Sequence, residues 1–208
     1  MIGFFGGSFD PVHFGHLKNA TTLKKQLNLS ALFLMPCAAP VHKNALNFSN
    51  AQRLEMLQLA TQVFDELSID LREINRDSAS YTIESLIDIK CEYADTPICL
   101  IVGMDSFINL HTWKDYQDFH QYVHLVVMAR PNHQALEVSH AFTRTKNINE
   151  LHNQTSGLLY FADTELLNIS SSEIRGILFN AASSGKIGAQ QSLSGLLPDP
   201  IIHYLQHL

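Results

Sequence analysis

The chain is poor in cysteine, in positive charge and in long apolar runs. Three cysteines among 208 residues are too few and too irregularly spaced for a disulfide framework. With 14 Lys and Arg against 20 Asp and Glu, the formal net charge is −6, so no general basic field exists to hold nucleic acid. No apolar run approaches the about 20 residues of a membrane span, and no basic leader precedes the first apolar segment. These deficits predict a cytoplasmic protein without nucleic-acid or membrane partners. Any phosphate would have to be bound by a few residues at one site and not by a broad basic surface.

Apolar segments alternate with segments of helical periodicity along the whole chain. Strands are predicted at 1–5, 31–35, 69–74, 98–102, 123–129 and 158–161. Helices are predicted at 17–29, 50–64, 81–93, 170–180 and 200–207, with shorter helical pieces at 104–110 and 113–119 and weak helical character at 141–151. Short connections between strand and helix favour parallel strands with right-handed crossovers. We therefore expect a Rossmann-like, doubly wound α/β fold with a mainly parallel sheet and helices on both faces.

The 46% hydrophobic content is enough for one sizeable core. A single domain, 1–208, is expected, with the helical part 170–208 packed on the rest and an exposed linker at 183–195. The pattern is compatible with either a monomer or a homo-oligomer.

The run from Gly6 to His16 follows the first strand and leads into the first helix, where α/β sheets bind phosphates. Gly6 and Gly7 predict a tight turn whose N–H groups approach an anion, and two histidines supply donors beside it. Two simpler interpretations remain open. Asp10 and Pro11 could form a plain turn, and the two histidines could bind zinc, although no second His/Cys cluster has ligand spacing.

A second polar element begins near Asn168. Ser170 and Glu173 have capping-box spacing, which predicts a helix N-terminus, and Arg175 follows about one turn later. The positive dipole ends of this helix and of the helix after His16 could together hold a triphosphate. His42 and Lys43 could add cationic donors, although Lys43 could equally be a solvated loop charge.

The run from Gly6 to His16 resembles the nucleotidyltransferase signature that overlaps the His-x-Gly-His element of class I aminoacyl-tRNA synthetases. The run from Ile169 to Arg175 resembles the Ile-Ser-Ser-Thr-x-x-Arg element of the same superfamily, with Ser172 in place of Thr. The resemblance implies binding of ATP, and phosphoryl-transfer chemistry in general predicts Mg²⁺ carried by the nucleotide. The residues that would bind ATP are Gly6, Gly7, Ser8, Phe9, His13, Gly15, His16, Gly103, Asp105, Ile169, Ser170, Ser171 and Arg175. Those that would take part in catalysis are His13, His16, Lys43 and Arg175.

Further segments are similar to bacterial nicotinate-nucleotide adenylyltransferases, in order and spacing over nearly the whole chain. They are Pro40 to Lys43, Ser80 to Thr82, Gly103 to Phe107, Thr112-Trp113 and Ala129 to Pro131. This resemblance implies transfer of AMP from ATP to nicotinate mononucleotide, by direct attack of the acceptor phosphate on the α-phosphorus. The residues that would bind the nicotinate nucleotide are His42, Lys43, Tyr81, Thr82, Trp113 and Arg130.

Two of these roles have structural alternatives. Trp113 would stack on the pyridine ring, but its side chain could also serve only to pack against neighbouring residues. Asp105 would contact the adenosine ribose, but it could also cap the short helix after Gly103. Nicotinamide mononucleotide and phosphopantetheine are rival acceptors, and a non-catalytic nucleotide-binding protein is a further alternative.

Overall fold

The computed structural model describes residues 1–38, 46–76, 81–129, 141–164, 167, 169–184 and 192–208. In this part of the chain, seven strands form one sheet in the order β3-β2-β1-β4-β5-β7-β6, and every neighbouring pair is parallel. The strands are β1 Ile2–Gly7, β2 Ala31–Pro36, β3 Ser68–Ile69, β4 Ile98–Gly103, β5 His124–Ala129, β6 Thr143–Thr145 and β7 Leu158–Asp163. The predicted parallel sheet is confirmed.

Helices connect most of these strands. They are α1 Phe14–Gln26, α2 Asn50–Val63, α3 Thr82–Glu92, α4 Met104–Ile108, α5 Ile148–Asn153, α6 Ser171–Ser184 and α7 Asp199–Leu205. Two 3-10 helices, Leu110–Thr112 and Tyr116–Gln121, follow α4. Among the residues described, no helix has the length and apolar character needed to cross a membrane.

Alternate residues of each central strand face two separate apolar cores. Phe5, Ile101 and Val126 pack with α1, α2 and α7 on one face of the sheet. Phe4 and Leu100 pack with α3 and α4 on the other. A sheet buried on both faces is what continuous apolar strands predict, and the doubly wound fold is confirmed.

The two central strands separate at their carboxyl ends. β1 leaves β4 after the pair Phe5 and Ile101. β1 nevertheless continues beside β2 to Gly7, and β4 continues beside β5 to Gly103. A crevice therefore opens between Gly7 and Gly103 at the point where the strand order reverses, which is where open α/β sheets bind ligands.

Some predicted elements are wrong. The strand predicted at 69–74 ends at Ile69, because the Asp70 carboxylate accepts hydrogen bonds from the backbone N and the Nε of Arg72 and turns the chain. The weak helical character predicted at 141–151 is confirmed only from Ile148 onward, in α5, whereas Thr143–Thr145 form the edge strand β6. Thr145 separates the two, since its hydroxyl donates to Glu150 and accepts from the backbone of Asn147.

Several other boundaries also differ from the prediction, and α1 runs from Phe14 to Gln26 where 17–29 was predicted. Helix α6 continues to Ser184, beyond the predicted end at 180. The predicted exposed linker at 183–195 lies partly outside the described residues, and its described part includes Leu193, which is 1% exposed and belongs to the core.

Candidate active site

Gly6 and Gly7 are the last two residues of β1, in extended conformation and paired with Met35 and Pro36. The prediction that they form the tight turn is wrong. The turn begins at Phe9, which has the left-handed φ of 46°, a conformation uncommon for a bulky residue. A Cβ on Gly7 would lie 3.0 Å from the Phe9 ring, so Gly7 makes room for that ring.

The described residues leave open space above the ends of both central strands. A Cβ built on Gly6 or on Gly103 would meet none of their heavy atoms within 4 Å. These two glycines therefore border the crevice from opposite sides, and a ligand can approach the backbone there.

His13 and His16 lie beside this crevice with their rings stacked, 3.8 Å between centroids and 27° between planes. His13 is 5% exposed, and burial lowers its pKa to about 4. The ring is therefore neutral at neutral pH, whereas the sequence left both neutral and cationic forms open. Its Nδ1 is buried without a hydrogen-bond partner in the described part of the chain.

Gly15 is required by the His13 ring. A Cβ at this position would lie 2.9 Å from both Nδ1 and Cε1 of His13, and 3.5 Å from the carbonyl oxygen of Ile169. Helix α1 starts directly after His13, whose carbonyl accepts from the N–H groups of His16 and Leu17. The spacing of the motif thus reflects packing at the first turn of α1.

The two predicted phosphate elements touch each other. The Ser171 hydroxyl donates to the carbonyl of Pro11 over 3.0 Å, and Arg175 Nη1 donates to the carbonyl of Asp10 over 2.7 Å. The Ser170 hydroxyl accepts from Glu173 N, as the capping-box spacing predicts. Segments about 160 residues apart in sequence therefore form one site.

Asp10 is more than a turn residue. Its buried carboxylate accepts hydrogen bonds from Asn47 and Phe48, in the segment that leads into α2. Its Oδ2 also lies 3.6 Å from Arg175 Nη1. In the plain-turn interpretation, the Asp10 side chain bonds its own local backbone. That part of the interpretation is wrong, because the carboxylate bonds the distant residues Asn47 and Phe48.

Arg53 is a residue that sequence reasoning missed. It is 0% exposed, and its guanidinium donates to the carbonyls of Ser8 over 2.6 Å, Cys37 over 2.6 Å and Ala38 over 3.0 Å. It also donates to the side chain of Asn50. Arg53 thus joins the ends of β1 and β2. The available signal was its position on the inner face of α2, three and four residues before the buried Met56 and Leu57.

Tyr81 and Trp113 both pack against the apolar core on the α3 and α4 face of the sheet. Lys114 Nζ lies 4.3 Å from the centroid of the Tyr81 ring and 3.4 Å from Glu84 Oε1. Trp113 is half-buried and packs edge-on against Phe119, 6.2 Å between centroids. Trp113 thus makes the packing contact that the structural alternative expects, and part of its side chain is still exposed.

Asp105 is exposed in the first turn of α4, and Gly103 is the N-cap. The alternative that Asp105 caps this helix is therefore wrong. Thr82 is the first residue of α3, next to Tyr81. His42, Lys43, Arg130 and Asn168 lie outside the described residues. No group of three or more His, Cys, Asp or Glu suited to a metal occurs in the described part of the chain.

The fold and the joined motifs define a nucleotidyltransferase. A family model described as cytidylyltransferase-like matches residues 4–177. The chain is also similar to solved structures of the Plasmodium falciparum nicotinic acid mononucleotide adenylyltransferase. The TM-score is 0.72 for the complex with NaAD, at 17% identity, over 99% of this chain and 94% of that one. For the complex with APC it is 0.71, at 16% identity and the same coverage. At this identity the likeness concerns the fold.

Proteins with similar sequences identify the family within the nucleotidyltransferases. A Vesicomyosocius okutanii subsp. Calyptogena okutanii protein named "probable nicotinate-nucleotide adenylyltransferase" is 53% identical over 100% of this chain and 95% of its own length. A Psychromonas ingrahamii protein of the same name is 41% identical, over 100% of this chain and 96% of its own. The chain belongs to the nicotinate-nucleotide adenylyltransferase family, and the resemblance found in the sequence is confirmed.

Proposed function

We propose that this protein transfers AMP from ATP to nicotinate mononucleotide, forming deamido-NAD and pyrophosphate in NAD biosynthesis. The observation that carries the proposal is the direct contact of the two phosphate motifs beside the crevice between β1 and β4. Ser171 bonds Pro11, and Arg175 bonds Asp10. Relatives of this family at up to 53% identity support the same acceptor.

ATP would bind along the edge formed by β1 and β4. Gly6 and Gly103 leave room for the nucleotide, and Asp105 is exposed at the end of β4, within the sequence segment that suggests ribose binding. The neutral imidazole of His13 can donate one hydrogen bond without adding a charge. Arg175 supplies a permanent positive charge for the triphosphate.

The reaction itself needs alignment more than proton transfer. The acceptor phosphate has a second pKa of about 6, so its dianion can attack the α-phosphorus without a catalytic base. A bond forms from the acceptor oxygen to this phosphorus, the bond to the bridging α–β oxygen breaks, and pyrophosphate leaves with that electron pair. His13, His16, Lys43 and Arg175 would stabilise the negative charge that develops.

Mg²⁺ enters this scheme as part of the substrate. Phosphoryl-transfer enzymes commonly bind Mg²⁺ through one or two carboxylates together with the substrate phosphates. The carboxylate of Asp10, within the first motif, already accepts bonds from Asn47 and Phe48 and faces Arg175 of the second motif. We therefore assign the ion to the triphosphate of ATP, where it would neutralise part of the phosphate charge.

The nicotinate nucleotide would occupy the Tyr81 and Trp113 side. Stacking of the cationic pyridinium on the Trp113 indole would contribute about 0.5–2 kcal/mol. Thr82, His42, Lys43 and Arg130 are the further acceptor residues proposed from the sequence. The thiols of Cys91 and Cys99 fit a reducing compartment, and we propose that the protein acts in the cytoplasm.

Pyrophosphate release from ATP and Mg²⁺ tests the proposal, with nicotinate mononucleotide, nicotinamide mononucleotide and phosphopantetheine as separate acceptors. We expect a strong preference for nicotinate mononucleotide. Activity only with another acceptor would overturn the roles of Trp113 and Thr82. No release with any acceptor, from folded protein that binds ATP, would favour the non-catalytic alternative.

A further inference from the structure

Asp10 lies at the junction of three segments that border the phosphate site. Its side chain is 4% exposed. Oδ1 accepts from the backbone N–H of Phe48 over 2.9 Å, and Oδ2 accepts from the backbone and side-chain nitrogens of Asn47 over 3.1 and 3.2 Å. Arg175 Nη1 lies 3.6 Å from Oδ2 and donates to the backbone carbonyl of the same residue over 2.7 Å.

This position requires a carboxylate. Both oxygens face donors, whereas an asparagine has one oxygen and would direct its NH₂ group at other N–H groups. A buried carboxylate is costly unless it is fully hydrogen-bonded, and Asn47, Phe48 and Arg175 together meet that need. A negative charge beside a phosphate site also repels the ligand, so its presence calls for a geometric reason.

The geometric reason is the orientation of Arg175. A long arginine side chain loses conformational entropy when it binds a ligand, and fixing it beforehand reduces that loss. Here Nη1 is held by Asp10 and Nη2 donates to the Ser172 hydroxyl over 3.1 Å. Since a guanidinium has five N–H donors, it can keep these bonds and still donate to phosphate oxygens.

We infer that Asp10 is a positioning residue for AMP transfer, which presents Arg175 to the triphosphate and tethers Asn47 and Phe48 beside it. The inference rests on the proposed function, because that function places the triphosphate next to Arg175. Asp10 itself does not touch the reacting atoms. Its effect on the reaction passes through Arg175.

A double-mutant cycle of Asp10→Asn and Arg175→Ala tests this coupling, with pyrophosphate release from ATP and nicotinate mononucleotide as the readout. We expect Asp10→Asn alone to lower kcat/KM for ATP by roughly 10- to 100-fold, and to have little further effect once Arg175 is alanine. Asp70→Asn is the matched control, because Asp70 is another mostly buried carboxylate paired with an arginine, Arg72, at 2.8 Å. We expect it to leave kcat/KM within about 2-fold of the wild type.

A purely structural role of Asp10 would give equal losses in both backgrounds, and this result would overturn the inference. Wild-type activity in Asp10→Asn would overturn it as well. A wild-type protein that releases no pyrophosphate with these substrates would instead reject the proposed function, and the inference with it.

Arg175→Lys keeps the test decisive if Asp10→Asn does not fold. A lysine ammonium has no planar fork, so it cannot hold both Asp10 and Ser172 while contacting phosphate. We expect Arg175→Lys to lose nearly as much activity as Arg175→Ala. Retention of wild-type activity by Arg175→Lys would show that charge alone suffices, and it would overturn the inference.

Discussion

The His13 and His16 rings stack face to face, 3.8 Å between centroids, with the edge of His16 also against Phe9. Two imidazolium ions at this distance would repel each other, and burial already disfavours the charged form of His13. His13 therefore provides a neutral donor at the start of α1, in the same site as the positive charge of Arg175 on α6.

We expect His16→Ala to lower kcat by roughly 100- to 1,000-fold, since it removes a donor that we propose stabilises the developing phosphate charge. The fold should survive, as judged by circular dichroism and a cooperative thermal transition. His207→Ala is the control, because His207 also stacks on another histidine, His203, but at an exposed position just beyond the end of α7. A folded His16→Ala protein with near-normal kcat would contradict the role given to His16.

Trp113 is the only tryptophan of the chain, so its fluorescence reports on the proposed acceptor site alone. We expect nicotinate mononucleotide to change this fluorescence. Trp113→Ala should raise KM for the acceptor about 3- to 30-fold, as expected for loss of a cation–π contact, with KM for ATP nearly unchanged. Equal effects on both substrates would indicate that Trp113 serves packing against Phe119 only.

Arg53 should contribute strongly to the stability of the fold. Replacement by Met removes the donor that the carbonyls of Ser8, Cys37 and Ala38 share, and unpaired buried carbonyls are unfavourable. We expect Arg53→Met to lower the free energy of unfolding in urea by about 2–5 kcal/mol. Arg144→Met is the control, since Arg144 is exposed and covers the Phe161 ring. Equal stability of the two variants would contradict the tethering role of Arg53.

Glu73 makes stability depend on pH. It is 4% exposed, burial raises its pKa to about 7, and its Oε1 accepts from the Ser85 hydroxyl. The folded state therefore holds a proton that the unfolded state releases near 4.5, and the stabilisation present below that pH is lost as pH rises through about 7. Glutamine keeps the hydrogen bond to Ser85 and carries no charge.

We expect Glu73→Gln to lose less stability than the wild type between pH 5 and 8, by at most about 1.4 kcal/mol per pH unit. His13 and His124, whose pKa values are lowered by burial, act in the opposite direction below about 6.5. The readout is therefore the difference between variant and wild type in urea unfolding across this range. Glu92→Gln, at an exposed position, is the control. Parallel curves for Glu73→Gln and the wild type would contradict the assignment.

Apolar periodicity and capping patterns are local signals, and they predicted the sheet and the start of α6. Ser170 with Glu173 is such a pattern, and the predicted hydrogen bond is present. The meeting of the two motifs was predicted from a shared ligand, because the positive ends of their helices could together hold a triphosphate. The edge strand β6 was not predicted, since its three residues are held by the neighbouring strand β7 and not by their own propensity.

The tethers of the site could not be predicted either. The Asp10 carboxylate and the Arg53 guanidinium bond to backbone groups 15 to 45 positions away, and no local pattern encodes such partners. Gly6 and Gly7 suggested a turn because glycine pairs usually make one. Here Gly7 instead gives space to the ring of Phe9, which itself adopts the left-handed conformation.

The most direct test of the proposed reaction is mass spectrometry of the product formed from nicotinate mononucleotide and ATP labelled at the α-phosphate, with Mg²⁺. We expect deamido-NAD that carries the label, together with unlabelled pyrophosphate, and almost none of either from His16→Ala. Label that stays in ATP, or appears in any product other than the dinucleotide, would contradict AMP transfer to the nicotinate nucleotide.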